Sequence, residues 1–246
     1  MEDPDLVKGL DVARAFFLEW GLPELERQYP ALVARVAAGK ILGSDVLGAD
    51  DAISRDHNWG PQFWLFLTDA DYAQFGQELS ERMNAAAPNP WQGHRLAGAG
   101  DNAVIVTSIP VFLKGLTGLH AIPKTSRDWL AASTQTPLGL PSESNLYFLR
   151  HGALFQDPLG ELSTWRKSLH AYPHDIWLRR LAEETFRIWH HGEYNFVQRM
   201  TQRRDPLAIQ VCLGEFTTGV MRLWLAALGG LHSVLEMARP RIPQAA

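Results

Sequence analysis

The chain has 246 residues, 46% of them hydrophobic, with nine Trp and eleven Phe, which is enough for a sizeable core built largely of aromatic rings and excludes a disordered composition. A net charge of −4 excludes the overall basic excess of a general nucleic-acid binder. The single cysteine, Cys212, excludes an internal disulfide and fits a reducing compartment.

The opening residues, MEDPDLVKGL, are acidic and lack an apolar core after a basic start, unlike a signal peptide. No run approaches the ~18 apolar residues of a membrane span. The expectation is a cytoplasmic protein with no membrane partner.

In chain order, residues 5–19 have helical spacing through Leu6, Leu10, Ala13, Phe16 and Phe17, with Gly21-Leu22-Pro23 as the predicted end. A second helix is predicted over 23–37, split by Pro30. GKILGS, short and apolar between glycines, reads as a strand running into a turn. The extended, aromatic pattern from Asp56 to Leu67 predicts another strand, with Pro61 at an edge or bulge. Thr68 or Asp69 caps a helix over DADYAQFGQELSERMNAAA, AVIVTSI (103–109) is a strand, and TSRDWLAAS opens a short helix. From Gly160 onward the text is helical: ELSTWRKSLHAY up to Pro173, then a helix ending at Gly192, then EYNFVQRMTQRR, then a long helix started by Asp205-Pro206. The pattern predicts an α+β protein: an N-terminal part, 1–140, with a mixed β-sheet and flanking helices, and a C-terminal helical bundle, 141–246. The boundary is drawn in the Pro-, Gly- and Ser-rich QTPLGLPSESN.

The chemistry concentrates in GSDVLGADDAISRDHNWGP, residues 43–61. If Asp56 and Asn58 lie on a strand, they point to one face about 6.6 Å apart, and His57 points away. Two such oxygen donors suit a hard cation such as Mg²⁺. A Gly43-Ser44 turn offers backbone N–H groups and a hydroxyl to phosphate oxygens. Asp45, Asp50 and Asp51 read either as turn-forming residues or as further ligands.

These residues resemble the nucleotidyltransferase (polymerase-beta-like) superfamily, whose pattern is hydrophobic-Gly-[Gly/Ser], a spacer, then Asp-hydrophobic-[Asp/Glu]. Here Leu42-Gly43-Ser44 is followed by eleven residues and then Asp56-His57-Asn58. Residues 43–61 are more closely similar to an uncharacterised bacterial family within that superfamily, with a run like G-S-D-V-L-G-x-D-D-x-x-S-R-D-H-D-W-G-P. VTSIPVFLKGLTG, LFQDPLGELSTWRKSLHAYPHDIWLRRLA and MRLWLA continue the likeness. The resemblance implies a nucleotidyltransferase-like mixed sheet, a helical domain closing the cleft, and Mg²⁺-dependent transfer of a nucleoside monophosphate, AMP from ATP, to a small-molecule acceptor. Gly43, Ser44 and Asp45 would hold the nucleotide, and Asp56 and Asn58 the metal. Glu215, which shares a helix face with Arg222, would be the catalytic base. Asn58 stands where the second acid belongs, and AVIVTSI carries no third acid. The rival reading is therefore a catalytically degenerate fold that binds a ligand or partner, or a site redirected to other biosynthetic chemistry.

Other candidates read as structural. His170 and His174 are separated by Pro173, His190-His191 sit near a predicted helix end, and Cys212 lies in an apolar helical stretch. Lys124-Thr125 lacks the glycines of a phosphate loop. Arg199, Arg203 and Arg204, with Arg179, Arg180 and Arg187, form either a solvated face or a lining for anionic groups. The oligomeric state is left open.

Overall fold

The computed structural model describes residues 7–48, 50, 59–97, 102–130 and 140–227. The chain is an α+β protein that divides into two units, interleaved in sequence. One takes residues 1–122 and 148–168, the other 123–147 and 169–246.

The first unit is organised by a four-stranded mixed sheet of order β3-β2-β1-β4. Its strands are β1 (Ala37–Lys40), β2 (Phe63–Leu67), β3 (Val104–Ser108) and β4 (Ala153–Gln156). β1 runs antiparallel to both β2 and β4, while β2 and β3 are parallel. That parallel pair is joined through α4 (Asp69–Ala86), the kind of crossover a parallel connection requires. α4 starts where its cap predicts: Thr68 accepts a hydrogen bond from the Asp71 amide at 3.1 Å. Near its end, Asn84 donates to the Val104 carbonyl at 2.8 Å and accepts from the Val104 amide at 3.0 Å, so a side-chain amide serves the first residue of β3 as a strand would.

β2 is apolar on both faces because both are covered. Phe63, Leu65 and Leu67 enter a core with Phe16, Phe17, Leu79 and Met83. Trp64 and Phe66, on the opposite side, meet Phe112 with ring centroids 5.3 and 4.8 Å apart. Phe112 belongs to α5 (Ile109–Thr117), a helix absent from the sequence reading. Its signals are local: Ser108 accepts from the Val111 amide, Pro110 lies in the first turn, and the cap Gly118 has φ +73°.

The N-terminal helix does not stop at Gly21. α1 (Gly9–Phe16) passes through a π turn, Phe17–Gly21, into α2 (Leu22–Gln28). The break comes at Tyr29, which is out of helical conformation (φ −136°, ψ 55°) ahead of Pro30, and Pro30 opens α3 (Pro30–Val33). β1 starts earlier than its predicted position, at Ala37, and every one of its residues is buried. The reason is crowding: a Cβ on Gly39 would run into the Ala153 carbonyl of β4, so only a residue without one permits that strand approach.

Among its described residues the second unit is helical. It contains α6 (Ser126–Trp129), the start of α7 (Glu143–His151), α9 (His174–Trp189), a π-helical run His190–Met200, α10 (Thr201–Arg203) and α11 (Pro206–Ala227); α8 (Glu161–Ser168) belongs to the first unit. α6 carries a full capping box from Thr125 and Asp128, and α11 is capped by Asp205, whose Oδ1 accepts from the Leu207 and Ala208 amides. The predicted stop at Gly192 does not occur. The helix continues through it, and the Phe216 ring lies over the space a Cβ would need there. α9 and α11 are antiparallel partners: Trp177 donates to the Ala226 carbonyl at 2.6 Å, and Gly219 lies beside Ile188. Among the described residues no helix is long and apolar enough to cross a membrane.

Gly39→Ala should lower unfolding free energy by about 2–3 kcal/mol in urea titrations, because the added methyl must part β1 from β4.

Candidate functional site

The turn after β1 is built from an internal ion pair outward. Lys40, the last residue of β1, has a fully buried side chain, and its Nζ is 2.7 Å from Asp45 Oδ2. The approach at Oδ2 lies outside hydrogen-bond geometry, so this contact is coulombic. Asp45 Oδ1 accepts from the Val46 amide at 2.9 Å, and the Asp45 carbonyl accepts from the Gly48 amide. Gly43 has φ +140°, and a Cβ there would strike Asp45 Oδ1. Glycine is thus required by conformation and by the carboxylate folded beneath the turn. Gly43 and Ser44 remain partly exposed above it.

Asp50 is also engaged. Its Oδ2 accepts from the Gly9 amide and its Oδ1 from Trp59 Nε1, each at 2.6 Å. The first contact caps α1, whose N-cap residue Lys8 supplies no side-chain cap of its own. Two acids of the motif thus tie the loop to β1 and to α1. Asp51, Asp56, His57 and Asn58 lie outside the described residues.

The second unit buries or partly buries charged groups, among them Arg180 and Arg187, which the sequence leaves open between a solvated face and a lining for anionic groups. The buried line of α9 is Ile176, Arg180 and Glu184, spaced four apart, so two charged residues occupy the apolar stripe of an amphipathic helix. That spacing was the available signal. Arg180 is 4% exposed; it donates to the Pro141 carbonyl, lies 3.8 Å from Glu143 and 3.7 Å from Glu183, and covers the Tyr172 ring. Arg187 bridges Glu184 at 3.2 Å and Glu215 at 3.3 Å, linking α9 to α11. Glu215 is therefore the partly exposed end of the chain Glu184–Arg187–Glu215, separate from the ion pairs of Arg180.

Burial pushes the carboxyls of Glu143 and Glu184 above the ordinary range, against the pull of Arg180 and Arg222 on the first and Arg187 and Arg222 on the second. Burial lowers His191, with Glu215 opposing. Buried carboxyls with raised affinity for protons are the groups from which proton-transfer sites are made. Other candidates are structural: Lys124 and Thr125 serve the α6 cap through Asp128, and Cys212 is buried. Among the described residues no group of three or more His, Cys, Asp or Glu side chains is placed to hold a metal ion.

Residues 140–228 match a family described as a domain of unknown function, DUF4037. The matched stretch contains β4, α8 and every member of the ion pairs of Arg180 and Arg187. None of the curated proteins and none of the solved structures matches the chain.

Asp45→Ala should cost about 3–5 kcal/mol in chemical denaturation, since it removes the carboxylate 2.7 Å from a buried ammonium, and Lys40→Met with Asp45→Leu should cost less. Glu184 offers a pH test. Its folded-state affinity for protons exceeds that at the ordinary value of 4.5, so the ionised form burdens the fold above its raised pKa, and that burden lifts as pH falls toward 4.5. Glu184→Gln should be more stable than the parent at pH 8, with the gap closing on acidification in melting curves.

Proposed function

We propose that the protein has a nucleotidyltransferase-like fold that binds a nucleotide with Mg²⁺ at the Gly43–Ser44 turn and transfers a nucleoside monophosphate, AMP from ATP, to a small acceptor. The observation that carries this reading is the division of labour in the turn: Asp45 anchors it from beneath while Gly43 and Ser44 stay partly open above. Backbone amides and a hydroxyl held in that manner suit phosphate oxygens. The sheet also supports it. Antiparallel pairing of Gly39 with Trp64 brings the exit of β1 and the entry of β2 to one end of the sheet, so the described residues flanking the motif converge there.

Asp45 and Asp50 are committed to Lys40, Gly9 and Trp59, which leaves Asp56 and Asn58 as the proposed metal ligands. Both are oxygen donors of the kind Mg²⁺ takes, and the bound ion would offset phosphate charge. Ser44 would donate to a phosphate oxygen.

The same commitments favour a second reading. Asn58 brings no charge, β3 reads VIVTS, and the two nearby acids are used internally. A site with one fewer carboxylate holds cations less strongly, which suits nucleotide binding without transfer.

Calorimetric titration with Mg²⁺ and each of ATP, GTP, CTP and UTP, followed by a pyrophosphate assay across acceptors, separates the two. Transfer predicts pyrophosphate release that Asp56→Ala abolishes. Ser44→Ala should weaken nucleotide binding about tenfold, the value of a lost charge-assisted hydrogen bond. Binding without pyrophosphate selects the second reading, and no nucleotide binding at all ends both.

A further inference from the structure

The hairpin of α9 and α11 has an apolar flank beyond the line along which its helices meet, broader than the Phe186, Leu207 and Val211 positions on its other side. That line is fixed by the contacts of Trp177 with Ala226, Arg187 with Glu215, and Ile188 with Gly219. At about 100° per residue, Leu178 and Trp189 of α9 and Leu213, Val220 and Trp224 of α11 all fall to the same side of it. The antiparallel arrangement preserves that agreement, because both helices then turn toward the same flank. The five side chains are 47%, 48%, 43%, 43% and 60% exposed. An amphipathic helix normally shows one apolar stripe. Here each helix spends one side on its partner and offers a second.

We infer that this flank is a homodimer interface, in which two hairpins pack face to face as a four-helix bundle. The area argues for a second copy. Taking whole indole rings at ~250 Å² and aliphatic side chains at roughly 100–150 Å², the exposed fractions leave on the order of 450 Å² of apolar surface per chain. A standard interface buries about 800 Å² per partner, of which about 56–65% is apolar, so it needs roughly the same amount. The shape argues likewise. A straight antiparallel hairpin is nearly symmetric about an axis across its middle, and two-fold pairing sets the same five residues against themselves. Left-handed bundles accept such faces at a crossing of about 20°. Two exposed Trp give it the large rigid anchors on which binding energy concentrates.

Sedimentation equilibrium on the full chain across the micromolar range tests this, and its result does not depend on the nucleotide reading. The expected result is a dimer. Trp224→Asp with Trp189→Asp should give a monomer of unchanged circular dichroism. Leu213→Lys, the milder second variant, should weaken self-association at least tenfold. Leu207→Asp, at a position 71% exposed on the opposite flank, should leave the dimer intact. A monomeric parent chain overturns the inference, as does a dimer that survives the flank variants or one that Leu207→Asp dissociates.

Discussion

Lys40 holds an ammonium where no solvent reaches, with the carboxylate of Asp45 2.7 Å away. Either charge alone would be prohibitive in that place; together they fix the exit of β1 to the loop that follows. The geometry of residues 41–48 is derived from that contact. With the carboxylate folded inward, Gly43 must take a conformation closed to other residues, and Val46 and Gly48 find their acceptors. Asp50 extends the tether to α1 through the Gly9 amide. The density of acid in this stretch thus has a mechanical component. Two carboxylates assemble the loop, and only those beyond residue 50 are left over for a metal ion in the proposed site.

The second unit treats charge differently. Arg180 and Glu184 are buried along α9 and Glu143 is half-buried beside Arg180, and desolvation works against the ionised carboxyls more strongly than their guanidinium neighbours favour them. Replacing such groups with apolar ones of similar volume is often neutral or stabilising, so stability alone is a weak account of their presence. They lie in the stretch that matches the uncharacterised family, which places the most unusual electrostatics of the described structure and the family likeness in the same residues.

Elements whose causes are local were legible. Thr68 before α4, Thr125 with Asp128 around α6, and Asp205-Pro206 at α11 are capping chemistry written into neighbouring residues, and β3 announces itself by its β-branched run. Elements whose causes are distant were not. β1 was legible only at its Gly39-Lys40 end; Ala37 and Ala38 are unremarkable as strand residues until β4 approaches from more than a hundred residues away. β4 and α7 lie in and after a Pro- and Ser-rich stretch that read as a linker. Gly192 has the look of a stop, but Phe216 on another helix makes its small size useful mid-helix. In the candidate site, Gly43 and Ser44 could be picked out by pattern. That Asp45 is spent on Lys40, and Asp50 on a helix start 41 residues earlier, follows from three-dimensional neighbours alone.

The route of the chain has a consequence for biosynthesis. β1 emerges from the ribosome early, yet one of its two hydrogen-bonding partners is β4, made only after the chain has passed through residues 123–147 of the other unit. Until then the nascent chain carries a buried-type strand with a naked edge, the kind of template on which foreign strands add. The small side chains of β1 offer such an intruder little grip. Between the synthesis of β1 and that of β4 at residues 153–156, that edge of β1 is without its strand partner.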